Sequence, residues 1–220
     1  MMKRFCNLLL VVFCFFSLQI LAQEKPFWNE IRAFQIEDSL QKPTDDINLF
    51  IGSSSFRLWK TIKQDLNSSN VLNRAFGGST LLDVIFYEKQ IALNYNPKKI
   101  FIYCGENDLA SSNDVTSKEV FKRFKKLFSD LRQKFPNTPI VYISIKPSPS
   151  RWHLKDKIIK ANQLINRFLN RNDNSYFVNI WDKMLIDSVP RKDIFLEDNL
   201  HMNHAGYMIW ANELKSFIEN

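Results

Sequence analysis

Glycine is scarce in this chain: five among 220 residues, where average usage of about 7% would supply roughly fifteen. They are Gly52, Gly77, Gly78, Gly105 and Gly206. Because glycine serves positive φ and close backbone approach, such scarcity implies that the few present stand where other residues do not fit. Cysteine is scarcer still, at three, and two of them, Cys6 and Cys14, fall in an apolar N-terminal run. Without that run only Cys104 remains, which excludes an intramolecular disulfide and leaves stability to a hydrophobic core. Histidine is limited to His153, His201 and His204, so chemistry that needs an imidazole has three candidates. No repeat or low-complexity segment is present, which leaves an interaction scaffold little to rest on.

What is present begins with MMKRFCNLLLVVFCFFSLQILAQ, where Lys3 and Arg4 precede an apolar stretch from Leu8 to Phe16 and a small residue at Ala22. That pattern predicts a signal peptide over 1–22 and a secreted or periplasmic protein, with no stable membrane insertion once the leader is removed. An uncleaved anchor is the alternative, favoured by the bulky Ile20. The formal net charge is +7. Lys122, Arg123, Lys125 and Lys126 interleave with Phe121, Phe124 and Phe128, as on a solvated amphipathic helix, so nucleic acid is not an expected partner.

From residue 23 the chain offers Phe27, Trp28, Ile31 and Phe34 at helical spacing, a helical extension over 23–46 that docks on a domain spanning 47–220. There, apolar runs at 47–52, 71–76, 98–105, 139–147 and 176–181 alternate with helical patterns: one reaching Leu66, one from Thr80, then 116–135, 155–170 and one from Asn203. Five short strands between helices predict an α/β fold, a three-layer α/β/α sandwich around a five-stranded parallel sheet. Gly52, Gly77, Gly78 and Gly105 each follow an expected strand, so all fall at the carboxyl edge where such sheets bind ligands.

At that edge GSSSFRLW lacks the spacing of a phosphate-binding loop, and no second glycine makes it a G-x-S-x-G elbow. A serine after Gly52 meets a helix N-terminus, either as a cap or as a nucleophile. A nucleophile needs a base, and EDNLHMNHAG sets Asp198 three residues before His201, close enough in a turn to reach Nδ1 and fix the tautomer. His204 opens the last helix as a cap or rim residue; a metal site from Asp198, His201 and His204 is the rival. In Cys104-Gly105-Glu106-Asn107-Asp108, the Asn107 amide could bond its own turn or serve a developing oxyanion, beside an N–H from the Gly77-Gly78 loop.

Taken in order, FIGSSS, FGGS, GEND and DNLH resemble the four blocks of the SGNH (GDSL-type) hydrolase superfamily. With IKPSPSRW and HMNHAGYMIW they are most similar to its platelet-activating-factor-acetylhydrolase-like bacterial esterases, over about residues 27–219. The resemblance implies a flavodoxin-like sheet and a serine hydrolase with no cofactor or metal. It implies Ser54 as nucleophile, His201 as base and then acid, and Asp198 orienting His201. The oxyanion hole it implies comes from the Ser54 and Gly78 N–H groups and the Asn107 amide. Choosing Ser54 over Ser53 or Ser55 rests on the resemblance alone. Two departures stand out: Ser53 where relatives carry Asp, and Ala75 where many carry glycine. The expected substrate is a short-chain, acetyl ester of a carbohydrate or other small molecule. A lysophospholipase or thioesterase, or a catalytically silent binding protein, are the alternatives. Trp59, Arg151 and Trp152 are candidates to shape the pocket, Arg151 for an anionic substrate.

Overall fold

Five apolar runs become parallel strands: β1 (Ile47–Gly52), β2 (Val71–Asn73), β3 (Pro97–Tyr103), β4 (Ile140–Ile143) and β5 (Ser175–Val178), in the spatial order β2-β1-β3-β4-β5. This computed structural model describes residues 26–218, so the leader expected over 1–22, with Cys6 and Cys14, lies outside the described residues. Every residue of β1 is buried, as are all of β3 except Lys98. Successive side chains point to opposite faces. Leu49, Ile51, Ile100 and Ile102 enter one core, whereas Phe50, Phe101 and Tyr103 enter the other. Phe50 and Phe101 stack with centroids 4.4 Å apart.

Among the described residues eight α-helices cover the sheet: α1 (Trp28–Leu40), α2 (Ser54–Arg57), α3 (Ile62–Asp65), α4 (Leu81–Phe86), α5 (Glu106–Ser111), α6 (Ser117–Lys134), α7 (Lys155–Leu169) and α8 (His204–Ile218). α6 turns Val120, Phe124, Leu127 and Leu131 inward, an i, i+4, i+7, i+11 stripe, and Thr116 caps its start by accepting the Glu119 N–H. Side chains of α1, α4, α6 and α7 fill the first core, and those of α2, α3 and α8 the second. The result is the expected three-layer sandwich.

Several boundaries differ from the sequence reading: β4 and β5 stop at Ile143 and Val178, short of the expected 147 and 181. β2 stops at Asn73 rather than residue 76, because the Asn73 carboxamide takes the Ala75 N–H and bends the backbone. The single helix expected up to Leu66 is two short ones, broken where Trp59 turns into the core against Tyr207 and donates Nε1–H to Asp65. A small hairpin, β6 (Leu185–Ile186) with β7 (Val189–Pro190), went unread; Asp187 and Ser188 at its turn have φ of 49° and 64°.

α1 lies against the sheet through buried Ile31 and through Arg74, whose guanidinium meets Asp38 at 2.5 Å and Glu37 at 3.0 Å. From β1 the chain passes to β2 on one side, then crosses to β3 on the other. The carboxyl ends of β1 and β3 therefore flank the switch point of the sheet, where α/β folds open a crevice.

Candidate active site

β1 ends on Gly52, whose φ of +130° lets the chain turn within contact of β3: an added Cβ would lie 1.9 Å from the Tyr103 carbonyl oxygen. That turn starts α2 and distributes the three serines. Ser53 and Ser55 are buried at 3% and 2% exposure, so only Ser54 faces the crevice. The Ser53 N–H donates to Tyr103 O, and the Ser55 carbonyl accepts from Tyr207.

Across the crevice, the segment between β7 and α8 brings an imidazole back from the far end of the chain. His201 Nε2 lies 3.0 Å from Ser54 Oγ, and His201 Nδ1 lies 2.5 Å from Asp198 Oδ2. The other Asp198 oxygen accepts the N–H groups of Leu200 and His201, both at 2.9 Å. Partial burial would raise the Asp198 carboxyl, but those two N–H bonds and the imidazole outweigh it and hold it down at about 2. The aspartate is thus ionised at neutral pH and accepts Nδ1–H, which leaves Nε2 its lone pair toward the serine. His204 begins α8, exposed, and His153 is also exposed. Among the described residues no group of three or more His, Cys, Asp or Glu side chains could hold a metal ion.

The third side of the crevice is a backbone cradle. Gly78, at φ +61°, lies exposed in the loop between β2 and α4. That loop is tied at several points. Ser79, fully buried, donates its hydroxyl to Gly52 O at 3.0 Å, while Leu81 N–H donates to buried Asp108 at 2.9 Å. Gly77 N–H donates to Glu30 of α1, which also pairs with Arg57 of α2. Among the described residues neither the Ser54 nor the Gly78 N–H has a hydrogen-bond partner. Asn107, in the first turn of α5, donates Nδ2–H to the Ser79 carbonyl at 3.0 Å, and its Oδ1 accepts from Arg151 at 2.8 Å.

Behind Asn107 lies a buried charge cluster that the sequence reading passed over. Glu106 sits at 3% exposure, 2.5 Å from the Lys146 ammonium and 2.5 Å from Ser148 Oγ, with the Tyr103 hydroxyl at 2.7 Å. Burial would raise the Glu106 carboxyl, but Lys146 and then Arg151 outweigh it and hold it below the ordinary carboxylate range. The signal was present in the sequence: a lysine closing the apolar run PIVYISIKP, and a glutamate beside the asparagine of GEND. Cys104 is buried too, with its thiol pushed well up by desolvation, and it donates weakly to Ser79 O. Trp59 belongs to the core, at 1% exposure, whereas Trp152 is half-buried and stacks on Trp181.

No curated protein sequence matches this chain. Among solved structures, a Streptococcus pneumonia protein provisionally described as a platelet activating factor is 21% identical, with a TM-score of 0.74 over 86% of this chain and 93% of its own. A GDSL-like lipase from Bacteroides thetaiotaomicron is 19% identical, with a TM-score of 0.71 over 86% of this chain and 97% of its own. A single-substitution variant of an acetyl-xylooligosaccharide esterase from Geobacillus is 15% identical, with a TM-score of 0.66 over 82% and 97%. These likenesses speak to the fold. The sequence pattern of the GDSL-like Lipase/Acylhydrolase family matches residues 47–209, three quarters of the chain, from the first residue of β1 into α8. The chain belongs to the GDSL-like lipase/acylhydrolase family, and it is an ester-hydrolysing enzyme.

Proposed function

We propose that the protein is an exported serine esterase that removes short acyl groups, acetyl above all, from carbohydrates or related small molecules through an acyl-enzyme. The observation that carries the reading is the line Ser54 Oγ, His201 Nε2, Asp198 Oδ2, with spans of 3.0 and 2.5 Å. Ser54 Oγ attacks the ester carbonyl while His201 Nε2 takes the hydroxyl proton, and ionised Asp198 stabilises the imidazolium that forms. The negative charge on the tetrahedral intermediate falls to the Ser54 and Gly78 N–H groups and the second Nδ2 hydrogen of Asn107. The imidazolium gives its proton to the leaving alcohol. Water, deprotonated by the same imidazole, then attacks the acyl-serine and releases the acid.

Carbohydrate esters are favoured by the esterase on acetylated xylooligosaccharides among the structural neighbours and by the amphipathic Trp152–Trp181 pair. Export rests on the charged and apolar pattern of the first residues. Ser54→Ala is expected to abolish release of p-nitrophenol from its acetate ester, and Asn107→Ala to lower it by about a hundred- to a thousand-fold. A fluorophosphonate should add its mass at Ser54 and nowhere else. Wild-type turnover in the Ser54→Ala protein would overturn the assignment. Initial rates over acetylated sugars, acetylated xylan and short-chain lipid esters rank the substrate classes.

A further inference from the structure

The Asn107 carboxamide is gripped at both ends. Nδ2 donates to the Ser79 carbonyl at 3.0 Å, and Oδ1 accepts from Arg151 Nη1 at 2.8 Å. A guanidinium has only donors and a backbone carbonyl only accepts, so the amide can stand only one way round. One Nδ2 hydrogen is engaged on Ser79 and one is left for an oxyanion. The grip also changes the amide electronically. A cation hydrogen-bonded to a carboxamide oxygen draws electron density from the nitrogen, which makes the remaining N–H a stronger donor.

Arg151 is itself held. Its Nη1 lies 3.9 Å from the buried Glu106 carboxylate, which Lys146 and Ser148 fix in turn, and its backbone N–H donates to Ser148 O at 3.0 Å. One residue earlier, the Ser150 N–H donates to Asn199 O at 3.0 Å, beside Asp198. The turn that carries Arg151 thus touches both the amide donor and the acid–imidazole segment. The Arg151 side chain is 19% exposed, and among the described residues the one hydrogen bond of its guanidinium is to Asn107.

We propose that Arg151 is a positioning residue for the oxyanion: it orients and polarises the Asn107 carboxamide and acts through it on the charge that develops at the acyl carbonyl. This differs from recognition of an anionic substrate, and it rests on the serine-esterase reading above. Since Arg151 acts only through Asn107, its removal can cost no more than removal of Asn107.

The test uses p-nitrophenyl acetate, a neutral ester, with the full-length enzyme. Arg151→Ala is expected to lower kcat by about ten- to a hundred-fold with KM changed less than about twofold, since the lost interaction acts in the transition state. The double variant Asn107→Ala/Arg151→Ala should be no slower than Asn107→Ala alone. Guanidinium ion at millimolar concentration should restore part of the Arg151→Ala rate and none of the double variant's. Arg151→Gln, which can donate to Oδ1 without charge, should lie between Ala and wild type, and it serves as the working variant if Arg151→Ala does not fold. Additive losses in the double variant would overturn the proposal. So would a rise in KM at constant kcat, or a loss confined to an ester whose acyl group carries a carboxylate. A wild-type enzyme that neither turns over nor takes the fluorophosphonate sinks the esterase reading; an active wild type matched by both Arg151 variants sinks the positioning role alone.

Discussion

A methyl group on Gly52 would stand 1.9 Å from the Tyr103 carbonyl oxygen, on a backbone whose φ is already +130°. Both the clash and the strain are with main chain, which no side-chain movement relieves. Gly52→Ala is therefore expected to lower stability by about 4 kcal/mol or more, at the extreme for one substitution, and a urea melt would show it. The Asp198 carboxyl has its own linkage. It is held at about 2 in the fold, against about 3.9 in an unstructured chain. Its stabilising charge is thus fully present above about pH 4 and is lost as pH falls through about 2. The side chain is nearly half exposed, so solvent keeps the effect small. The gap in urea midpoint between wild type and Asp198→Asn should narrow from pH 5 to pH 2.5. A constant gap would assign the residue's contribution to hydrogen bonding alone. Lys146→Met, which strands the Glu106 carboxylate at 3% exposure, should cost about 3–5 kcal/mol by the same melt.

At the scale of elements, α1 lies outside the stretch that matches the family yet reaches the loops of the candidate site. Glu30 accepts the Gly77 N–H and binds Arg57, so one carboxylate joins the loop of Gly78 to the helix of Ser54. Glu30→Ala is expected to lower kcat by about tenfold, since small misplacements of catalytic groups can cost up to about a hundredfold. Stopped assays on p-nitrophenyl acetate, with circular dichroism as the control, would measure it. Elements with long periodic faces were legible from sequence, α6 and α7 nearly to the residue. α5 was not, because ENDLAS has no apolar stripe: its buried Glu106 and Asp108 are satisfied by Lys146 and Arg123 from other elements. The choice among three serines was likewise invisible to pattern. In the fold burial distinguishes them, turning two inward and one toward His201.

For the molecule as a whole, the sheet separates two cores, and aromatic rings pack in both. On the face under α8, Trp210, fully buried, meets Phe56, Trp59 and Tyr103 and so supports α2 from below. Trp210→Ala should destabilise the fold by about 3–5 kcal/mol and blunt fluorophosphonate uptake at Ser54 in the folded fraction. Neither consequence could be read from WANELK alone, since the four rings come from three distant parts of the chain. Sheet order was open in the sequence for the same reason: alternation specifies parallel strands, while their neighbours are decided by contacts across the fold.

The Ser54 hydroxyl and the His201 imidazole that it meets are separated by 147 positions along the chain. On a ribosome adding about 5–20 residues per second, the serine emerges on the order of ten seconds before the histidine exists. Throughout that interval the nascent polypeptide carries an inert alcohol. Stalled chains that end before residue 201 should accordingly resist fluorophosphonate, and Ser54 should gain reactivity only once His201 has been added and the fold has closed around both.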